Sequence, residues 1–243
     1  MKPFLLLIPA YNEELNIGNV LEDILATKLP VDIVVVNDGS TDHTEETAGM
    51  FPVTVLTHPC NLGYGAALQT GYLYAVKNKY SYVIQFDADG QHNPGDVSIL
   101  MEELDKGTVD IVMGSRYMEG ATSFPSSPFK KAAVYFFRQL IYSLTKKEIL
   151  DPTSGLRGMS RPVVQYLASF EHFPSDFPDA DLLIQILLKN FKIKEVPVHM
   201  RERAAGTSMH KGLRPIFYMV KVLLSLLVFL IRYKVSKRVS IYE

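Results

Sequence analysis

Short apolar runs alternate with longer amphipathic segments through the first half of the chain, and this alternation restricts the fold more than any other feature. Residues 4–8 form an apolar run too short for a typical helix and closed by Pro9, which predicts a buried parallel strand. Residues 15–26 then place their apolar side chains on one side of a helix. Further strands are predicted over 31–36, 53–57, 82–86 and 110–113, with helices over 41–49, 64–77 and from about Pro94. Such an order predicts a doubly wound, three-layer α/β/α sheet.

The second half is less regular. A helix is predicted over 132–144 and a late strand over 193–199, and the proline- and serine-rich stretch at 123–128 predicts a surface loop. With 243 residues and 47% hydrophobic content, the chain can bury one large core. We therefore expect one catalytic domain over 1–212, followed by an amphipathic helix and a basic tail over 213–243.

Charge and cysteine content restrict the partners and the compartment. The 25 basic and 26 acidic side chains nearly cancel, so no overall field attracts nucleic acid, and no nucleic-acid partner is expected. Cys60 is the only cysteine, which excludes an internal disulfide. The apolar N-terminus lacks a cleavage site of the signal-peptide type. These features predict a cytoplasmic protein.

Polar motifs follow four consecutive predicted strands. In open α/β sheets the binding crevice lies beyond the carboxyl ends of the strands, so these motifs should meet at one edge. Taken singly, such clusters of Asn, Asp and Gly are more often simple turns. The four motifs are Pro9-Ala10-Tyr11-Asn12-Glu13, Asn37-Asp38-Gly39-Ser40, Asn61-Leu62-Gly63-Tyr64-Gly65 and Asp87-Ala88-Asp89.

The carboxylates of Asp87 and Asp89 stand two residues apart directly after an apolar strand. That spacing suits Mg²⁺ or Mn²⁺ bridging to a diphosphate, because these cations often use only one or two carboxylates together with substrate phosphates. An Asp-x-Asp pair alone also occurs in ordinary turns. The glycines of 63–71 have the wrong spacing for a dinucleotide fingerprint, and no P-loop, HExxH or GxSxG motif is present. His92, next to the acidic pair, is a further candidate.

The ordered set of motifs resembles the family-two glycosyltransferases, and most of all the dolichol- and polyprenyl-phosphate sugar synthases. Besides the four motifs above, the resemblance rests on Gly114-Ser115-Arg116-Tyr117 and Asp151-Pro152-Thr153-Ser154-Gly155-Leu156-Arg157. It implies the GT-A fold, a nucleoside diphosphate sugar as donor, and transfer with inversion at the anomeric carbon.

The resemblance also implies roles for individual residues. Donor binding falls to Pro9, Tyr11, Glu13, Asp38, Asp87 and Arg203, with Asp87 near the ribose or sugar and Arg203 near the diphosphate. The metal ligands are Asp89 and Gln91, and the acceptor-binding residues are Arg116, Lys131 and Ser154. The family often has lysine after the serine that corresponds to Ser208, whereas this chain has Met209-His210, so the resemblance does not extend to the charge contact of that lysine.

Chemistry favours a phosphate acceptor. A phosphate monoester is already ionised at neutral pH and can attack without a general base, whereas a hydroxyl needs one. Arg116, Lys131, Arg157 and Arg203 are available to hold such an anion beside the donor. If the acceptor is a hydroxyl, Asp179 or Asp181 could be the catalytic base; helix stabilisation is an equally weighted interpretation of both.

Three functions follow from this sequence. The leading hypothesis is transfer of one sugar from a UDP- or GDP-sugar to a polyprenyl phosphate (undecaprenyl or dolichyl) at the inner face of the membrane. Its alternatives are a soluble family-two enzyme glycosylating a saccharide or protein hydroxyl, and a sugar-nucleotide-binding scaffold without turnover.

The apolar run 216–231 contains Lys221 and Ser225, so it predicts an interfacial helix better than a spanning one. We expect it to attach the protein to a membrane with the help of a small membrane-embedded partner; packing on its own domain or on a second copy is the alternative.

Overall fold

The computed structural model describes residues 2–122, 128–169, 173, 180–201 and 224. Seven strands and seven helices occur in this part of the chain. The strands are β1 (Lys2–Ala10), β2 (Val31–Asn37), β3 (Thr54–Thr57), β4 (Tyr80–Gln85), β5 (Ile111–Ser115), β6 (Arg157–Ser160) and β7 (Ile193–Pro197). The helices are α1 (Ile17–Ala26), α2 (Thr44–Gly49), α3 (Tyr64–Lys77), α4 (Asp96–Asp105), α5 (Pro128–Thr145), α6 (Arg161–Ala168) and α7 (Ala180–Leu188).

The strands form one sheet in the order β3-β2-β1-β4-β6-β5-β7. β1 pairs in parallel with β2 on one side and β4 on the other, and β5 pairs in parallel with β7. β6 alone among them is antiparallel, to both β4 and β5. The carboxyl ends of the six parallel strands and the amino end of β6 therefore share one edge.

The sheet separates two apolar layers, because successive side chains of a strand point to opposite faces. In β1, Leu5 and Leu7 pack towards α3, α6 and α7, whereas Leu6 and Ile8 pack towards α1 and α4. All four of these side chains are at most 1% exposed. The predicted three-layer α/β/α architecture is confirmed.

The structure differs from the prediction in its second half. β6 and α6 have no counterpart among the predicted elements, and β6 inserts an antiparallel strand into the middle of the sheet. The predicted C-terminal helix over 213–243 lies outside the described residues, apart from Leu224. Within the described ranges, every helix is too short or too polar to cross a membrane.

Candidate active site

Five chain segments meet at the carboxyl edge of the sheet. The register aligns Ala10 at the end of β1 with Asn37 at the end of β2, and pairs Gln85 at the end of β4 with Arg157 at the start of β6. The motifs that follow β1, β2, β4 and β5, and the loop 151–156 that precedes β6, are thereby brought to this edge. The sequence predicts that the motifs after β1, β2, β3 and β4 meet at this edge; those after β1, β2 and β4 are among these five segments, and the motif after β3 is joined to them through Asp38.

The first two motifs are hydrogen-bonded to each other. Asn12 N donates to Ser40 Oγ at 3.0 Å, and Thr41 N donates back to Asn12 Oδ1 at 2.8 Å. Glu13 N donates to Thr44 Oγ1 at 2.8 Å. Since these bonds join the loop after β1 to the loop after β2, each motif fixes the backbone of the other. Two of the predicted donor-binding residues belong to this unit: Pro9 is buried within β1, and Tyr11 is 44% exposed at its end.

Glu13 and Asp38, also predicted to bind the donor, are engaged by the protein itself. Glu13 Oε2 accepts a hydrogen bond from Asn16 Nδ2 at 2.6 Å. Asp38 is 2% exposed and accepts hydrogen bonds from Leu62 N and Gly63 N, each at 2.9 Å. The ring of His58 lies 2.7 Å from Asp38 Oδ1. Asp38 therefore holds the loop after β3 in place, and its predicted contact with the nucleoside stays a prediction.

Asp87 is held at both carboxylate oxygens. Tyr64 Oη donates to Asp87 Oδ1 at 2.8 Å, and His92 Nε2 lies 3.1 Å from Asp87 Oδ2. Burial opposes ionisation of this carboxyl, but the hydrogen bond and charge of His92, together with Tyr64 and the charge of Arg157, hold the pKa of Asp87 below its usual value. The side chain is 26% exposed, so an ionised carboxylate faces the edge of the sheet.

Gly155 allows the loop 151–156 to approach Asp87. A Cβ built at position 155 would overlap Asp87 Oδ2. Only a residue without a side chain permits this approach of backbone to carboxylate. The close contact explains why a glycine occupies this position in the motif before β6.

Asp89 and Gln91 form a compact turn beyond Asp87. Gln91 N donates to Asp89 Oδ1 at 3.0 Å, and both side chains are half-buried. Carboxylate and amide oxygens are the donors that Mg²⁺ and Mn²⁺ prefer, so this turn fits such a cation. No group of three or more His, Cys, Asp or Glu side chains suited to a metal occurs in the described part of the chain. A cation here would need further ligands from a bound substrate.

Arg116 forms a two-pronged ion pair with Asp151. Its Nε donates to Asp151 Oδ2 at 2.7 Å and its Nη2 to Asp151 Oδ1 at 2.6 Å, while Nη2 also donates to Thr153 Oγ1 at 2.7 Å. The Asp151 side chain is fully buried and that of Arg116 is 16% exposed. Parallel bonds of this kind fix the plane of the guanidinium. Arg116 therefore joins the end of β5 to the loop before β6.

Glu195 in β7 supports the same loop. Its carboxylate accepts Leu150 N and Asp151 N, each at 2.7 Å. Burial raises the pKa of Glu195, and the nearby Asp151 charge adds to the rise.

Arg157, the first residue of β6, also supports this loop. Its side chain is 4% exposed, and its Nε donates to Ser154 O at 2.7 Å. Arg157 is thus engaged with the loop backbone.

The remaining predicted site residues have different surroundings. Lys131 is exposed on α5, and Ser154 is 3% exposed in the loop beside Asp87. Asp181 is 1% exposed in the first turn of α7, where Leu182 N donates to its Oδ1 at 2.8 Å. Both interpretations of Asp181, catalytic base and helix stabilisation, stay predictions. Asp179 and Arg203 lie outside the described residues.

Sequence reasoning missed Tyr64 and Glu195. Tyr64 lies within a quoted motif, but a tyrosine at the start of a predicted helix has no distinctive spacing relative to Asp87. Glu195 stands in a short strand where an acidic residue usually indicates a solvent-facing position. Neither contact leaves a local signal, because each joins segments more than 20 residues apart.

Comparisons with known proteins identify the family of this chain. The model of glycosyl transferase family 2 matches residues 6–167. A polyprenol monophosphomannose synthase from Mycolicibacterium smegmatis is 31% identical over 227 residues, covering 86% of this chain and 81% of that protein. A UDP-N-acetylglucosamine–dolichyl-phosphate N-acetylglucosaminyltransferase from Methanococcus voltae is 28% identical, covering 90% of this chain and 94% of that protein.

Solved structures resemble the fold. Glucosyl-3-phosphoglycerate synthase from Mycobacterium tuberculosis, solved with Mn²⁺, UDP and glucosyl-3-phosphoglycerate, superposes with a TM-score of 0.71 at 23% identity. The match covers 93% of this chain and 79% of the other. The predicted GT-A architecture is thereby confirmed. The matched family model spans β2 to β6, most of β1 and the loops between them, and the chain belongs to glycosyl transferase family 2.

Proposed function

We propose that this glycosyltransferase moves one sugar from a UDP- or GDP-sugar to a polyprenyl phosphate, with inversion at the anomeric carbon and with Mg²⁺ or Mn²⁺. The observation that carries the proposal is the pairing, at one sheet edge, of the acidic turn at Asp87 and Asp89 with the arginine-bearing loop at Arg116. An acidic turn suits a metal-bound diphosphate, and an arginine suits a second anion. The two named relatives, both acting on polyprenol or dolichyl phosphates, support the acceptor class.

The reaction joins a phosphate oxygen of the acceptor to the anomeric carbon as the bond from that carbon to the donor diphosphate breaks. Bound at Asp89 and Gln91, a divalent cation would neutralise charge on the departing nucleoside diphosphate. Ionised Asp87 faces the same edge and would orient the ribose or sugar. Arg116, fixed by Asp151, would hold the acceptor phosphate in line with the anomeric carbon. Positioning of this kind accounts for a large part of catalysis when both reactants are charged.

The burial of Asp181 supports a phosphate over a hydroxyl as the acceptor. A general base must reach the proton that it removes, and Asp181 is only 1% exposed while bonded to its own helix. A phosphate monoester needs no such base. Replacing Asp181 with Asn should therefore leave much of the turnover intact.

Helix α5 supports a place for the protein at a membrane surface. Its 18 residues include no Asp or Glu. Tyr135, Phe136 and Tyr142 on this helix are 63%, 39% and 46% exposed, and Lys131 is exposed beside them. Exposed aromatic rings with basic side chains suit the interface of an anionic bilayer. Peripheral attachment on the cytoplasmic face, aided by the segment 213–243, is part of the proposal, and a small membrane-embedded partner or a second copy stays a prediction.

The test is donor consumption with a polyprenyl phosphate in the presence of Mg²⁺ or Mn²⁺. Asp89→Ala should lower turnover by about 100-fold, because it removes the one carboxylate among the two proposed metal ligands. Asp105→Ala, an exposed acid at the end of α4, is the matched control and should match the wild type. Melting temperatures of both variants check that the fold persists. Full turnover by Asp89→Ala, or full turnover in excess chelator, would contradict the metal role.

A further inference from the structure

Tyr64 is the centre of a chain of hydrogen bonds that begins in the core at Tyr72 and ends on Asp87. Gln85 Nε2 donates to Tyr64 Oη at 2.7 Å, and Tyr64 Oη donates to Asp87 Oδ1 at 2.8 Å. Tyr72 Oη donates to the other end of the Gln85 amide at 3.3 Å. Gln85 and Tyr72 are 2% and 1% exposed. A buried amide that is held at both ends sets the direction of the Tyr64 hydroxyl.

The backbone around Tyr64 is fixed by Asp38. Tyr64 is the first residue of α3, and the two residues before it, Leu62 and Gly63, donate their N–H groups to the Asp38 carboxylate at 2.9 Å. Gly63 has a φ of +103°, a conformation that favours glycine and that positions the start of the helix. Asp38 is itself braced by His58, whose Nε2 lies 2.8 Å from Thr70 Oγ1 on α3. Asp38 thus controls where the Tyr64 ring stands.

We propose that Asp38 and Tyr64 are positioning residues that act in series to orient the Asp87 carboxylate towards the donor. Asp38 fixes the loop 61–63, the loop fixes Tyr64, and the Tyr64 hydroxyl fixes Asp87 Oδ1. His92 then holds Oδ2, so that the carboxylate keeps one orientation at the sheet edge. This role differs from the nucleoside contact that the family resemblance implies for Asp38. The identity of the ligand rests on the proposed function; the positioning itself is a property of the protein.

The arrangement is more specific than stabilisation of the fold requires. If the Tyr64 hydroxyl needed only a hydrogen-bond partner, a water molecule at the start of the helix could provide one. Instead, Tyr64 lies between the buried amide at the end of β4 and the carboxylate two residues later, and it joins β4 to the loop after β3. Removal of the Tyr64 hydroxyl should therefore change the orientation of the Asp87 carboxylate, which would then be held by its contact with His92.

The test compares Tyr64→Phe with Tyr74→Phe. Both variants lose one hydroxyl from α3 and keep the ring, but Tyr74 Oη only approaches Thr54 Oγ1 at 3.5 Å, away from the site. Crystal structures of both variants should show a reoriented Asp87 carboxylate in Tyr64→Phe and an unchanged one in Tyr74→Phe. Calorimetric titration with UDP and with GDP, each with Mn²⁺, should show about tenfold weaker binding to Tyr64→Phe alone. A loss of this size is expected when the reoriented Asp87 carboxylate gives up one hydrogen bond to the nucleotide.

The serial relation is tested by a double-mutant cycle. If Asp38→Asn and Tyr64→Phe act through the same carboxylate, the doubly substituted protein should bind nucleotide no more weakly than the weaker single variant. Independent, multiplying losses would overturn the serial relation, and an unmoved Asp87 in Tyr64→Phe would overturn the positioning role. A wild-type protein that binds neither nucleotide contradicts the proposed function instead, and the crystal structures still decide the position of Asp87.

Discussion

At the scale of single residues, the carboxyl edge is built from acids that the protein holds in one orientation. Asp38, Asp87 and Asp151 each accept hydrogen bonds from two or more groups, and Asp38 and Asp151 are almost fully buried. A buried carboxylate is stable only when its acceptors are filled. The acids at this edge are therefore of two kinds. Asp38 and Asp151 are buried and hold neighbouring loops in place, whereas Asp87 is also held by the protein but remains partly exposed at the edge.

The ion pair of Arg116 with Asp151 predicts the effect of Arg116→Lys. Lysine keeps the charge but cannot form the two parallel bonds to the carboxylate or the bond to Thr153. We expect the KM for the lipid phosphate to rise about tenfold, since one or more charge-assisted bonds are lost, and the affinity for the nucleotide to stay near its wild-type value. Steady-state kinetics with varied acceptor, combined with nucleotide titration, measure both quantities.

Arg161→Lys is the control for this substitution. Arg161 lies at the start of α6, where its Nη1 donates to Tyr80 O at the amino end of β4, on the opposite edge of the sheet. Its replacement should leave both constants unchanged. If Arg116→Lys weakens nucleotide binding and leaves the acceptor KM unaltered, Arg116 contacts the donor and not the acceptor.

At the scale of elements, the loop before β6 is the part that the sequence predicts least completely. Its motif identifies it as functional, but β6 itself is only four residues long and consists of Arg157, Gly158, Met159 and Ser160. So short a segment shows no apolar alternation, and its arginine argues against a central strand. Gly158 is needed because a Cβ there would meet Leu104 of α4. Whether this strand forms depends on packing between elements that are distant in the chain, and the local sequence pattern does not indicate such packing.

The attachment of this loop to β7 predicts a pH dependence of stability. Burial raises the pKa of Glu195 above the value of about 4.3 for an unfolded chain. The folded protein therefore retains the Glu195 proton at pH values where the unfolded chain has released it, and the contribution of this group to the free energy of unfolding falls as pH rises through the interval. Glu195→Gln lacks the titration. The wild type should thus lose stability relative to Glu195→Gln as pH rises above about 4.3, the pKa of an unfolded Glu, measured by urea denaturation at a series of pH values.

Glu103, whose pKa is shifted in the opposite direction, provides the control. Hydrogen bonds from Lys106 and Lys194 lower the pKa of Glu103, so the stability it confers is present above its unfolded pKa and is lost as pH falls. Relative to Glu103→Gln, the wild type should gain stability as pH rises towards about 4.3, the unfolded pKa of Glu, and should then stay level while the Glu195 pair diverges. The effect will be small because both lysines paired with Glu103 are about half exposed to solvent. Parallel behaviour of the two pairs would contradict the assignment for Glu195.

At the scale of the whole molecule, the alternation of strands and helices determines most of what the sequence can predict. The order of β1 to β5, the three layers and the shared edge follow from periodicity and from strand ends that carry polar motifs. The partners of each polar group do not follow from it. Tyr64 and Asp87, or Glu195 and Leu150, meet only once the sheet has set the distances between its strands, so their contacts are known from the structure alone.

The two apolar layers predict that the protein folds without its C-terminal segment. In the part of the chain that the structure describes, the buried side chains of both layers lie between Phe4 and Val198. The segment 216–231 is apolar but interrupted by Lys221 and Ser225, a pattern that suits an interfacial helix. A chain ending at Arg214 should therefore keep its cooperative melting and its turnover of a water-soluble acceptor analogue, while losing flotation with vesicles that contain anionic lipid. The comparison uses the full chain under the same conditions, and a Tyr135→Ser, Tyr142→Ser variant of the full chain reports the share of α5 in vesicle binding. Undiminished flotation of the shortened chain would assign membrane binding to α5 and the rest of the domain; loss of cooperative melting would show that the segment belongs to the core.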